Sequence, residues 1–106
     1  MPVFAPQALS ANTLTDLGSI GASMVGVCSQ VIVTNASASA AAQVRVAISA
    51  TTTPSAAEYL VYDVTVPPND SITIPVADYI AATYHVMARS TNGSTSFRVC
   101  GRVKDA

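Results

Sequence analysis

The chain is predicted to fold as an all-β, antiparallel β-sandwich of about seven or eight strands, either jelly-roll or immunoglobulin-like. Three observations predict it. Val, Ile, Thr and Tyr recur with a period of two along several stretches. The segments between those stretches are filled with Pro, Asn, Asp, Gly and Ser. No segment carries the apolar spacing of a convincing helix. At 106 residues the chain has the length of one domain, and a domain of that size buries roughly 65% of its unfolded surface. Residues 1–106 are therefore expected to form one sandwich, with residues 1–8 as an extended N-terminal arm.

Taken in order, Leu9 to Leu14 is expected to supply a first short strand. Val25, Val27, Val31 and Val33 then alternate with Met24, Gly26, Cys28, Gln30 and Ile32. This predicts a strand with one face apolar except at Ser29 and the other mixed. Val44, Val46 and Ile48 repeat the pattern against Gln43, Arg45, Ala47 and Ser49. Leu60, Tyr62, Val64 and Val66 mark the next inward set, followed by Ile72 and Ile74, by Tyr84, Val86 and Ala88, and by Phe97, Val99 and Val103. Between strands, Ala36 to Ala42 and Thr51 to Ala57 read as loops, the first because it opens on Asn35 and lies between strong strand patterns, the second because it holds Pro54. Pro67-Pro68-Asn69-Asp70 and Thr91-Asn92-Gly93-Ser94 predict two hairpin turns, the second from the Asn-Gly pair that suits positive φ.

Composition narrows the function. Five basic against six acidic side chains argue against a nucleic-acid binder, which needs a cation for each phosphate it contacts. Polar residues interrupt every hydrophobic stretch well short of the roughly 20 residues that span a bilayer, so no membrane association is expected. The N-terminal MPVFAPQALSANTLTDL lacks the basic and apolar regions of a secretory leader, and cytosolic synthesis is the expectation. In that setting the three Asn-X-Ser triplets at Asn35, Asn69 and Asn92 read as turn residues, and Cys28 and Cys100, both placed on the outward phase, are expected to stay reduced. Two cysteines and His85 without close spacing give no metal motif, and Ser, His and Asp occur without a nucleophile elbow. No catalysis, metal or cofactor is expected.

The surface offers two candidate contacts. Arg45, Arg89, Arg98 and Arg102 all fall on the polar phase of strands, with Lys104 continuing the last row. They are read either as a solvated face that keeps sheet edges from pairing or as a docking surface for an acidic partner. Tyr59 and Val61 put apolar bulk on the face opposite Leu60 and Tyr62, so the EYLVY strand is expected to be covered twice or to sit at a subunit contact.

The segment TTTPSAAEYLVYDVTVPPNDSITIPV, followed by ATYHVMARSTNGSTSFRVCGRVKD, resembles small virion proteins of tailed bacteriophages. In these, a TPxxAxYxxYD-like segment precedes an alternating strand and a closing strand runs to a charged C-terminus. The resemblance covers Gln43 to Lys104 and carries no catalytic signature or functional residue. It implies a β-sandwich subunit of a virion, made in the host cytoplasm, of the capsid decoration or cement type. The implied partners are the major capsid protein or other virion proteins, with the chain acting as a homo-oligomer, a trimer if it caps three-fold positions. A neck, tail or baseplate subunit is the structural alternative, and a carbohydrate- or receptor-binding module is the alternative of another class.

Overall fold

A computed structural model describes residues 7–80 and 82–105, together with their side chains except those of residues 77–79, 104 and 105. Eight strands run β1 (Gln7–Ala8), β2 (Thr15–Ser19), β3 (Met24–Asn35), β4 (Ala42–Ser49), β5 (Tyr59–Val66), β6 (Asp70–Ile80), β7 (His85–Ser90) and β8 (Thr95–Asp105). A single 3₁₀ turn at Ala56–Glu58 is the one helical element described. They form two four-stranded sheets, ordered β1-β8-β3-β6 and β2-β7-β4-β5, with every pairing antiparallel.

The connectivity decides between the two sandwich topologies. β1 pairs with β8, β2 with β7, β3 with β6 and β4 with β5, and successive pairs alternate between sheets. This is one long antiparallel ribbon rolled around a core, the jelly roll. An immunoglobulin arrangement would keep the first two strands side by side in one sheet, whereas here β1 and β2 lie in different sheets.

Aliphatic side chains from both sheets meet between them. Val31, Val33, Phe97, Val99 and Ile74 come from one sheet and Val44, Val46, Ile48, Val66, Val86 and Ala88 from the other, all buried in one cluster with Leu9, Leu17 and Ile20. Burying each Val-sized side chain contributes about 1.5–3 kcal/mol, and this burial is the main force that holds the two sheets face to face. The inward phases expected of β4, β6 and β7 are those observed.

Several expectations are corrected. Leu9 to Leu14 is not a strand: it is the link between β1 and β2, and Leu9 enters the core from it. Neither turn cluster closes a hairpin, because β5 and β6 lie in different sheets, as do β7 and β8. Turn residues specify a chain reversal and not the pairing partner, so both reversals carry the chain across the sandwich. Asn69 does take the positive φ of 54° that its turn asks for, while residues 91–94 form a four-residue loop held by the Asn92 side chain, which accepts from Ser94 N–H at 3.0 Å and Thr95 Oγ1 at 2.9 Å. The expected N-terminal arm falls largely outside the described residues; Gln7 and Ala8 pair with Phe97 and Ser96.

Several β-bulges shift the period of two, those on β3 and β5 among them. On β3, Cys28 faces Gly101 and Gln30 faces Cys100, leaving Ser29 as the extra residue. The phase therefore flips at Ser29. Gly26 and Cys28 point inward, whereas Val27, expected in the core, is 47% exposed and Val25 is half-buried. Gly101 permits the shift, because a Cβ there would collide with the Val27 carbonyl. On β5, Tyr62 and Asp63 both oppose Arg45, and Leu60 is extra between Val61 and Tyr59. Asp63 takes the left-handed φ of 56° that the first of these bulges needs. As a result Val61 faces Val46 and packs on the core, while Tyr62, expected inside, is 57% exposed. Val64 and Val103 keep an inward register, opposite Val44 and Gly26, but the first lies on an edge strand and the second near a strand end, and both remain partly exposed.

Candidate docking surface

The rolled ribbon gives the molecule two outer sheet faces, and the four arginines divide between them. Arg45 and Arg89 stand directly opposite each other on β4 and β7; Arg98 and Arg102 lie on β8 in the other sheet. The single arginine face expected from strand phase is thus two faces on opposite sides of the sandwich. Strand periodicity reports in or out, but not which sheet a strand joins.

The β2-β7-β4-β5 face is internally compensated. Arg45 donates to both carboxylate oxygens of Asp63, through Nε at 2.7 Å and Nη2 at 3.1 Å, and its guanidinium lies 3.9 Å from the centre of the Tyr62 ring. The bond from Arg45 holds the Asp63 carboxyl below its ordinary value, and the bond to Asp63 raises the Arg45 guanidinium. Tyr59 packs edge-on to Tyr62 with ring centres 5.2 Å apart. Beside them the outward Ala47 and Met87 are buried. His85 Nδ1 lies 2.7 Å from Asp16 Oδ2, tying β2 to β7. Arg89 reaches Asn12 Oδ1 at 3.4 Å. The second apolar face expected of EYLVY exists, but Tyr59 and Tyr62 make it, and Val61 belongs to the core.

The outer face of β3 and β8 is built differently. Across the ladder Val27 faces Arg102, Ile32 faces Arg98 and Val25 faces Lys104, so each cation of β8 is registered against an apolar residue of β3. Arg98 and Arg102 are exposed, and among the described residues neither has an acidic partner; the carboxylate contacts described are Arg45 with Asp63 and His85 with Asp16. Two depressions follow the ladder. One of about 530 Å³ is lined by Val27, Ser29, Gly101 and Arg102. The other, about 240 Å³, is lined by Ile32, Thr34, Ser96, Phe97 and Arg98. The larger lies where the bulge opens the face, so Ser29 and Gly101 shape it as well as re-phasing the strand.

The cysteines flank this bulge. Cys28 is fully buried in the core, contrary to its expected outward phase, while Cys100 lies opposite Gln30 on the phase alternate to Val99 and is buried with 8% exposure. Cys28 Sγ donates to the Gln30 carbonyl at 3.7 Å, and no disulfide joins the two residues, which point to opposite sides of the sheet. His85 stands in the other sheet, and among the described residues no three His, Cys, Asp or Glu side chains gather as a metal site requires. Among the described residues no helix is long and apolar enough to cross a membrane.

Val27 is the surface residue that alternation hides. Its signal in the sequence is Ser29, a polar residue at an inward position of the series Val25, Val27, Ser29, Val31, Val33, which is how a bulge looks before its geometry is known.

No protein-family model, curated protein or solved structure matches the chain.

Proposed function

We propose that this jelly roll is a structural subunit of a tailed-phage virion, of the capsid decoration or cement type, which docks on the head lattice through the outer face of β3 and β8. The observation that carries this reading is the ladder of exposed arginines, without an acidic partner among the described residues, registered against the exposed Val27 and the half-buried Ile32, Arg102 with the first and Arg98 with the second. Such a face attracts an acidic surface at long range and excludes water from it on contact. The architecture supports the reading as well, since jelly rolls recur in viral capsid domains, and so does the likeness of Gln43 to Lys104 to small virion proteins. The role is mechanical, without catalysis or cofactor, and many copies multiply weak contacts. The chain acts as a homo-oligomer, a trimer at three-fold positions, assembled in the host cytoplasm and retained in the virion.

Particles assembled without this chain and then incubated with the purified protein test the proposal. They are expected to bind it in a fixed copy number and to rupture at a higher temperature. Particles that bind none, or bind it without gaining resistance, would contradict the role.

A carbohydrate-binding module is the second reading, favoured by one observation: Tyr62 is 57% exposed beside the Arg45 and Asp63 pair. Arg45 already covers one side of that ring, at 3.9 Å, which leaves less aromatic surface for a sugar to stack on. Tyr62→Ala is expected to leave binding to host-cell glycans unchanged; loss of such binding in the variant would favour the module.

A further inference from the structure

The proposed docking face also defines what its partner presents. Its two depressions lie in line along one strand pair, each edged by one arginine. Arg98 and Arg102 are four positions apart on β8, about 13 Å at the rise of an extended strand. Positions two apart share a face, so both arginines and the intervening Cys100 point the same way. On a helix, residues four apart are separated by only about 6 Å, so carboxylates at that sequence spacing reach both arginines only when the segment is extended. An extended segment matches the spacing residue for residue.

We propose that this face binds one extended acidic segment of the partner protein, with carboxylates four residues apart that pair with Arg98 and Arg102. The central side chain of the segment, between the two carboxylates, lies over Gln30 and Cys100 and is uncharged, because Cys100 is buried and offers no ionic partner. Flanking apolar groups settle against Val27, whose exposure of 47% leaves it the most open apolar residue of the ladder, and against Ile32. Charge complementarity selects the occupant: among the described residues the positive charge of this face is uncompensated, on a chain whose net charge is −1, so the attraction is local to this ladder and weak elsewhere. A nucleic-acid strand would meet the same two arginines but little other positive charge around them.

This inference rests on the docking reading and is tested apart from it. The probe is an acetylated, amidated peptide, Glu-Ser-Val-Ser-Glu, titrated into the isotopically labelled full chain while backbone amide shifts are followed. Controls are a peptide of the same composition with the two glutamates adjacent, a Lys-Ser-Val-Ser-Lys peptide and a single-stranded DNA oligonucleotide. Saturable shifts confined to β3 and β8 are expected, weakened about tenfold in Arg98→Gln/Arg102→Gln and by added salt. The double variant replaces exposed side chains, and its own spectrum reports whether the fold persists. Absence of saturable shifts at millimolar peptide, equal binding of either control peptide, or tighter binding of the oligonucleotide at the same residues would each overturn the proposal. Peptide binding by a chain that does not attach to particles would overturn the virion assignment alone; attachment without peptide binding would overturn the extended segment alone.

Discussion

At Asn35 three loops converge on one fully buried side chain. Its amide donates to the carbonyls of Ala40 at 2.9 Å and Val66 at 3.1 Å, and its oxygen accepts from the Ser37 N–H at 3.0 Å. Asn92 and the buried Ser90 and Thr95 continue the network. Removing the Asn35 amide strands buried carbonyls, so Asn35→Ala is expected to cost about 1–3 kcal/mol, read as a lower denaturation midpoint at unchanged slope. Asn35→Asp, which keeps the acceptor but loses the donors, should do no better; a neutral effect of both variants would remove the network from the account. Asp63 governs a different response. Its folded carboxyl ionises below the ordinary value of 3.8, chiefly through the bond from Arg45. A group depressed on folding stabilises above its unfolded value and loses that contribution as pH falls through the folded one. The Asp63 carboxyl carbon should therefore titrate below a short peptide's carboxyl, and return toward it in Arg45→Gln. A midpoint at or above 3.8 in the parent chain would show that the ion pair is absent in solution.

Among the elements, the bulge at Ser29 decides what β3 offers to the core and to the surface. Val31 is fully buried, so Val31→Ala is expected to cost about 2 kcal/mol. Val27→Ser, although inward in the plain alternation, should leave the melting temperature almost unchanged, because Val27 is exposed. Gly101→Ala should destabilise strongly, because its Cβ meets backbone and not a side chain that can turn away. If Val27→Ser destabilised as much as Val31→Ala, the strand would run without a bulge. These elements also show what was legible in the sequence. Val44, Val46, Ile48, Phe97 and Val99 follow an unbroken period of two and take their expected places. Val27, Cys28, Val61 and Tyr62 do not, because one extra residue in a strand inverts every side chain beyond it and only Ser29, and a glycine on a partner strand distant in sequence, mark the place. The outward phase of Arg98 and Arg102 was readable for the same reason, while their separation from Arg45 and Arg89 was not: it depends on long-range pairing that local pattern does not encode.

For the whole molecule, rolling one ribbon into two sheets turns a nearly uncharged chain into a body with two unlike faces. One has Arg45 matched by Asp63 and stacked on Tyr62, with Arg89 bonded to Asn12; on the other, Arg98 and Arg102 have no acidic partner among the described residues. Oligomerisation, if it uses the Tyr59 and Tyr62 patch, should be lost in Tyr59→Ser/Tyr62→Ser with the β-rich spectrum intact, whereas any variant that includes Val61→Ser should damage the fold, because Val61 packs on the core. Light scattering and circular dichroism separate the two outcomes, and a folded Val61→Ser chain of parental stability would put that residue back on the surface. The division into a compensated and an uncompensated face is the central claim, and neutralising each face in turn tests it most directly. Copies bound per particle are counted at low and moderate salt for Arg98→Gln/Arg102→Gln and for Arg45→Gln/Arg89→Gln, with the melting temperature of each free variant measured alongside. The account predicts that the first variant loses attachment at moderate salt with an unchanged melting temperature, while the second attaches as the parent does; full attachment of the first, or equal loss in both, would contradict it.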